Sequence, residues 1–132
     1  MENAKEILFK FFDEMYLWNR EAYQYTQENG FGIETQKVLL SSLEPIVRKF
    51  CTKKIIDQIS VKCSEIPKYD KNNLILEGTD EINKNKIAFY IRELNRSKSL
   101  YKYTLIHKNG VWLIDKKDWL VEFDNKWEKH YI

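Results

Sequence analysis

The spacing of apolar residues changes once along this 132-residue chain, and no single motif constrains the fold as much. Through about residue 54 apolar side chains recur every three or four positions, and from about residue 61 they alternate. The first period buries one stripe of a helix and the second buries one face of a strand. The chain therefore reads as α+β, with helices first and an antiparallel sheet after, in one domain over residues 1–132. With 43% apolar and 14% aromatic residues there is material for one core, and only 4 Gly and 2 Pro interrupt it.

Residues 3–28 predict one long helix. Ala4, Leu8, Phe11, Met15, Trp18, Ala22 and Tyr25 fall on one stripe, which Ile7, Phe12, Tyr16 and Tyr23 widen. A band so broad needs cover from both a sheet and another helix. Asn29-Gly30-Phe31-Gly32 ends the helix, since glycine reaches the left-handed conformation at little cost. A second helical region runs over residues 34–54, with Val38, Leu39, Leu43, Ile46, Val47 and Phe50 on its apolar face. Pro45 is expected to divide it into two shorter helices, with Ser41 or Ser42 capping the second.

Strands are expected over residues 61–66, 73–79, 86–95, 100–108 and 111–116, with residues 80–85 as a polar loop. Asn109-Gly110 between two alternating runs predicts a two-residue type I′ hairpin. That turn pairs Lys108 with Val111, His107 with Trp112, Leu105 with Ile114 and Tyr103 with Lys116. One face then carries Tyr103, Leu105, His107, Trp112 and Ile114, the better candidate for the core. The other carries Thr104, Ile106, Val111, Leu113 and Asp115. Its apolar members make Thr104, Ile106, Val111 and Leu113 a candidate partner-binding surface, or a homodimer contact. In the tail, Trp119, Phe123, Trp127 and Tyr131 recur at helical spacing, so a short helix competes there with a final strand.

The balance of 22 basic and 20 acidic side chains is interleaved, without the basic face that nucleic-acid binding requires. Cys51 and Cys63 belong to no CxxC pair, and only two histidines accompany them, so reduced thiols and no metal or cofactor are expected. No apolar run reaches the roughly 18 residues of a membrane span. The opening Met1-Glu2-Asn3-Ala4-Lys5-Glu6 is unlike a secretory signal, which makes the cytoplasm the expected compartment.

This order of elements, closing with the hairpin His107-Lys108-Asn109-Gly110-Val111-Trp112-Leu113-Ile114-Asp115, resembles the nuclear transport factor two-like, or cystatin-like, fold. That resemblance implies a long N-terminal helix and two shorter ones packed on a curved antiparallel sheet that encloses a conical cavity. A narrower resemblance is to the immunity proteins of this fold from bacterial polymorphic toxin systems. It rests on Phe11-Phe12-Asp13-Glu14-Met15-Tyr16-Leu17-Trp18-Asn19, Trp112-Leu113-Ile114-Asp115-Lys116-Lys117 and Asn125-Lys126-Trp127-Glu128. It implies a protein that binds a cognate toxin and blocks it without catalysis. Inhibitors that plug nuclease sites often present acidic surfaces, and this chain carries no overall acidic excess.

Other relatives of the fold isomerise or dehydrate small molecules inside the cone. On that reading His107 is the candidate general base, and Tyr103 and Tyr16 are candidate oxyanion donors. A cavity, catalytic or not, is expected to be lined by Tyr16, Trp18, Tyr90, Tyr103, His107 and Trp112.

Overall fold

The computed structural model describes residues 3–63, 65, 68–95 and 98–132. Three helices, α1 (Ala4–Asn29), α2 (Ile33–Phe50) and α3 (Lys53–Ile56), precede five strands. These are β1 (Leu74–Asn83), β2 (Lys86–Glu93), β3 (Leu100–Lys108), β4 (Val111–Val121) and β5 (Lys126–Lys129), paired antiparallel in the order β1-β2-β3-β4-β5. This is the α+β arrangement that the change of period predicts.

The start of α1 follows from Asn3, whose Oδ1 accepts from the Glu6 backbone N–H at 2.9 Å while its Nδ2 donates to Glu6 Oε1 at 2.9 Å. Gly30 closes the helix at φ 77°, its N–H donating to the Thr26 carbonyl at 2.7 Å. Between these caps Leu8, Phe11, Phe12, Met15, Trp18 and Ala22 are buried. The centre of the core is aromatic. Phe11 meets Phe50 and Tyr69 edge-on, with centroids 5.7 and 5.8 Å away, and Phe12 meets Tyr103 at 5.2 Å. Such pairs add about 0.5–1.5 kcal/mol each beyond the area they bury.

Pro45 does not divide the second helix. α2 runs unbroken through it, and Leu39, Leu43, Val47 and Phe50 are buried along one side. Pro45 itself is exposed, as is Ser41 four residues earlier, so water reaches the carbonyl that loses its partner. Burial of four apolar anchors outweighs one missing hydrogen bond. Ser42 caps nothing; it lies inside α2, donates to the Leu39 carbonyl at 2.8 Å and accepts from Trp18 Nε1 at 2.9 Å, tying α2 to α1.

Three strand expectations also change. Residues 61–63 form no strand although Val61 and Cys63 pack on the core, because no described strand pairs with them; Ser64, Ile66 and Pro67 lie outside the described residues. Residues 80–83 belong to β1, which pairs with β2 as far as Asn83 and Lys86, leaving Lys84-Asn85 as the turn. Cross-strand bonding, not burial, holds that extension. The tail is β-structured: β4 continues to Val121 and β5 returns after a turn at residues 122–125. Phe123, one of the four-spaced aromatics, sits on that turn 97% exposed.

The Asn109-Gly110 hairpin has the predicted register at its tip, with φ 53° and 83° at the two turn residues. Below Leu105–Ile114 the register shifts: Thr104 faces Lys116 and Tyr103 faces Lys117, not Lys116. Asp115 is the extra residue of a β-bulge. It leaves the outward face and turns to the α2–α3 junction, where Thr52 Oγ1 donates to its Oδ1 at 3.0 Å and Lys54 Nζ to its Oδ2 at 3.1 Å. The Thr52 N–H also donates to the Ile114 carbonyl at 2.9 Å.

Two substitutions check this packing in urea unfolding. Phe11→Ala is expected to lower stability by about 3–5 kcal/mol, the usual range for emptying an aromatic core site. Pro45→Ala is expected to raise it, by about 1–3 kcal/mol, because alanine restores the helical donor where proline lacks one.

Candidate functional site

The cone formed by α1, the loop after α3 and the curled sheet opens into a cavity of about 350 Å³. Met15, Trp18 and Ile132 supply its apolar wall, and Asn19, Gln58 and Ser60 its polar atoms. The rest of the lining is Lys62, Lys68, Tyr69, Lys117, His130 and Tyr131, so the lining side chains among the described residues include three lysines and no acidic one.

Lys117 is its most unusual member. The residue is only 5% exposed, and its Nζ lies 4.6, 5.4 and 5.5 Å from the ring centroids of Tyr101, Tyr69 and Tyr103. The faces of three aromatic rings replace a counter-ion. Burial, aided by the nearby Lys68 charge and opposed by Glu93, pushes the ammonium pKa from 10.5 down to about 7. His130, whose Nδ1 lies 2.9 Å from the Tyr131 carbonyl, is pushed to about 4 by burial and then by the Lys117 charge. Burial raises the tyrosine hydroxyls of the cage: Tyr101, which donates to Glu93 Oε1 at 3.1 Å, goes up to about 12. Burial raises Tyr69 and Tyr103 as well.

The helices occupy only the sheet face that carries Phe89, Ile91, Tyr103, Leu105 and Ile114. On the opposite face Ile106 pairs with Leu113 near the β3–β4 tip, beside Val111, which is 51% exposed. Further along, Tyr90 packs on Trp127 with centroids 5.9 Å apart, and Lys102 Nζ sits 4.7 Å above the Trp127 ring. Arg92 closes this end by binding Glu77 at 3.1 Å and Glu122 at 3.4 Å. No described element covers this face.

Comparison with known proteins shows the family to which the chain belongs. The sequence profile of the NTF2 fold immunity proteins matches residues 3–131. The chain belongs to this family. It is also 32% identical to the immunity protein RhsIA of Dickeya dadantii (strain 3937), over an alignment of 135 residues that takes in 100% of this chain and 98% of the relative. No solved structure matches it.

The residues expected at a site are dispersed in this immunity-family chain. Of the six expected to line the cone, Trp18 does so, and Tyr103 lies under the floor within the Lys117 cage. Tyr16 opens instead onto a neighbouring groove with Asp13 and Tyr69. Tyr90 is on the outer face, because its pairing with Lys102 sets its side chain opposite to that of Phe89. His107 and Trp112 pack on each other at the hairpin tip, centroids 5.0 Å apart, half-buried and away from the cavity. His107, considered as a general base, does not line the cone cavity, and Tyr16 and Tyr103 are not gathered around it. Of the four expected contact residues, Thr104 is buried at 6% exposure, while Ile106 and Leu113 are half-buried and Val111 is open to solvent.

Lys117 and His130 went unseen because strict alternation from Trp112 sets Lys117 outward; the bulge at Asp115 reverses every later side chain. The run Asp115-Lys116-Lys117-Asp118 carried a signal. Four charged residues in one strand force at least one inward.

The depressed Lys117 and His130 values make stability depend on pH. Each group binds its proton more weakly in the folded than in the unfolded chain, so each cost is full below the folded value and vanishes above the unfolded one. Stability is expected to climb from about pH 4 to 6.5 through His130, and from about pH 7 upward through Lys117. Lys117→Met is expected to raise the urea midpoint at about pH 6 and to show a smaller gain at about pH 9.5, below the titration of the tyrosines. An equal gain at both values would contradict the buried charge.

Proposed function

We propose that this immunity protein neutralises its cognate toxin domain by binding it through the uncovered face of the sheet, without catalysis. Family membership carries the immunity role. The binding face is supported by one observation: Ile106, Val111 and Leu113 at one end, and Tyr90 and Trp127 at the other, form an apolar strip that no described element covers. Aromatic and aliphatic anchors with a charged rim, here Lys102 and the Arg92–Glu77–Glu122 cluster, are the composition of a protein–protein contact. Thr104 supports the strip from below. The relevant toxin would be the effector domain of a bacterial polymorphic toxin system met in the cytoplasm, and interleaved charges favour a protein partner over nucleic acid or membrane.

Co-expression with the toxin domain tests this. Ile106→Glu and Leu113→Lys are expected to weaken binding by about tenfold or more and to reduce protection, since an unpaired charge enters an apolar contact. Val38→Glu on the exposed side of α2, and His107→Ala, are expected to leave protection intact. Full binding by both sheet variants would remove the toxin from this face. A dimer of the free chain that Leu113→Lys dissociates would assign the face to self-association instead.

A further inference from the structure

We infer that the β4–β5 turn is an anchor of the toxin contact, seating Phe123 in an apolar pocket of the toxin rimmed by basic side chains. This rests on the immunity reading above and adds a projecting point of attachment to the sheet face. Phe123 is 97% exposed, against 36–73% for the other exposed large apolar side chains. Nothing in the turn requires a phenylalanine. Its left-handed residue is Asn125, at φ 53°, and its bonds are main-chain. The Asp124 N–H donates to the Val121 carbonyl at 3.2 Å and the Asn125 N–H to the Glu122 carbonyl at 3.3 Å. Single apolar residues are common on protein surfaces. Phe123 differs in that the turn carrying it is held in place from both sides.

On one side Arg92 donates to Glu122 Oε1 at 3.4 Å, holds both Glu77 oxygens at 3.1 and 3.2 Å, and donates to the Lys98 carbonyl at 2.9 Å. On the other, Val121 pairs with Lys126, and Trp127 packs on Tyr90. A turn fixed before its partner arrives lowers the ordering cost of binding. The paired Leu120 and Trp127 join it to the apolar strip of the outer face. Charge selects the occupant. Phe123 stands between Glu122 and Asp124, while Lys126, paired with Val121, falls on the opposite face by alternation. Two carboxylates beside the ring repel the phosphates of nucleic acid, an anionic lipid surface and the identical turn of a second copy. A protein pocket with lysines or arginines on its rim accommodates the ring and the carboxylates together.

Binding kinetics of the full chain with the purified cognate toxin domain test the anchor. Phe123→Ala is expected to weaken binding about tenfold to a hundredfold, mainly through faster dissociation. Its urea midpoint is expected to stay at the wild-type value, because the ring is almost wholly in water. Phe123→Leu, which keeps an apolar side chain, is expected to retain binding within about fivefold. Asp124→Asn is expected to slow association about twofold to fivefold and to flatten its dependence on salt. Binding by Phe123→Ala within about twofold of wild type would overturn the proposal, as would an Asp124→Asn association rate that keeps its full salt dependence. A dimer of the free chain that Phe123→Ala dissociates would overturn it in favour of self-association, and vesicle binding that the same change abolishes would do so in favour of a membrane. Ile106→Glu and Leu113→Lys report on the strip and Phe123→Ala on the turn. Loss of binding in the first two alone sinks the anchor, and loss in Phe123→Ala alone sinks the strip.

Discussion

Burial of the wide apolar band of α1 is the constraint on which the rest of the fold depends. Phe11 and Phe12 point to different neighbours: Phe11 to Phe50 of α2 and to Tyr69, Phe12 to Tyr69 and to Tyr103 of the sheet. One flat layer cannot cover both. The sheet must curl around α1 while α2 closes the other side, and the curl leaves the middle of the helix, at Met15, Trp18 and Asn19, facing a cavity. The shape that encloses the pocket is thus a consequence of how one helix is covered.

The bulge at Asp115 links that packing to chemistry. By adding one residue to β4 it aims a carboxylate at Thr52 and Lys54, which fastens the α2–α3 junction to the sheet. It also reverses the strand below, so that Lys117 enters the cage of Tyr69, Tyr101 and Tyr103. A strictly alternating strand would have put Lys116 inside and left Lys117 in water. The same reversal sends Asp118 and Leu120 to the outer face, where Leu120 pairs with Trp127. Cavity and outer face therefore depend on one irregularity.

These two regions ask different things of the chain. Immunity requires a surface that matches another protein, and the apolar strip proposed for that role would supply one without any reactive group. A caged lysine adds little to such a surface, since it is buried on the opposite side of the sheet. Its burial lowers stability below neutral pH. The two features can vary separately because β-sheet faces alternate: substitutions on the outer face leave the inward side chains in place.

Local patterns in the sequence were enough to determine the elements governed by short-range physics. The stripe from Ala4 to Tyr25 with Asn3 and Gly30 at its ends specifies α1, and Asn109-Gly110 specifies the hairpin tip, because caps and positive-φ turns depend on neighbours a few residues away. The motifs at the two ends of the chain were likewise sufficient for kinship with the immunity proteins, although only part of them is core: Phe11, Phe12, Met15, Trp18 and Ile114 are buried, while residues 125–128 are exposed. What tertiary structure decided lay wherever a local preference met a stronger distant contact. Pro45 stays helical because Leu43 and Val47 are buried; the tail is a strand because β4 offers it hydrogen bonds that a short isolated helix lacks. The placement of Lys117 was decided in the same way. A bulge is set by the fit of a strand to its partner and to the helices behind it, and no spacing within the strand alone records that fit.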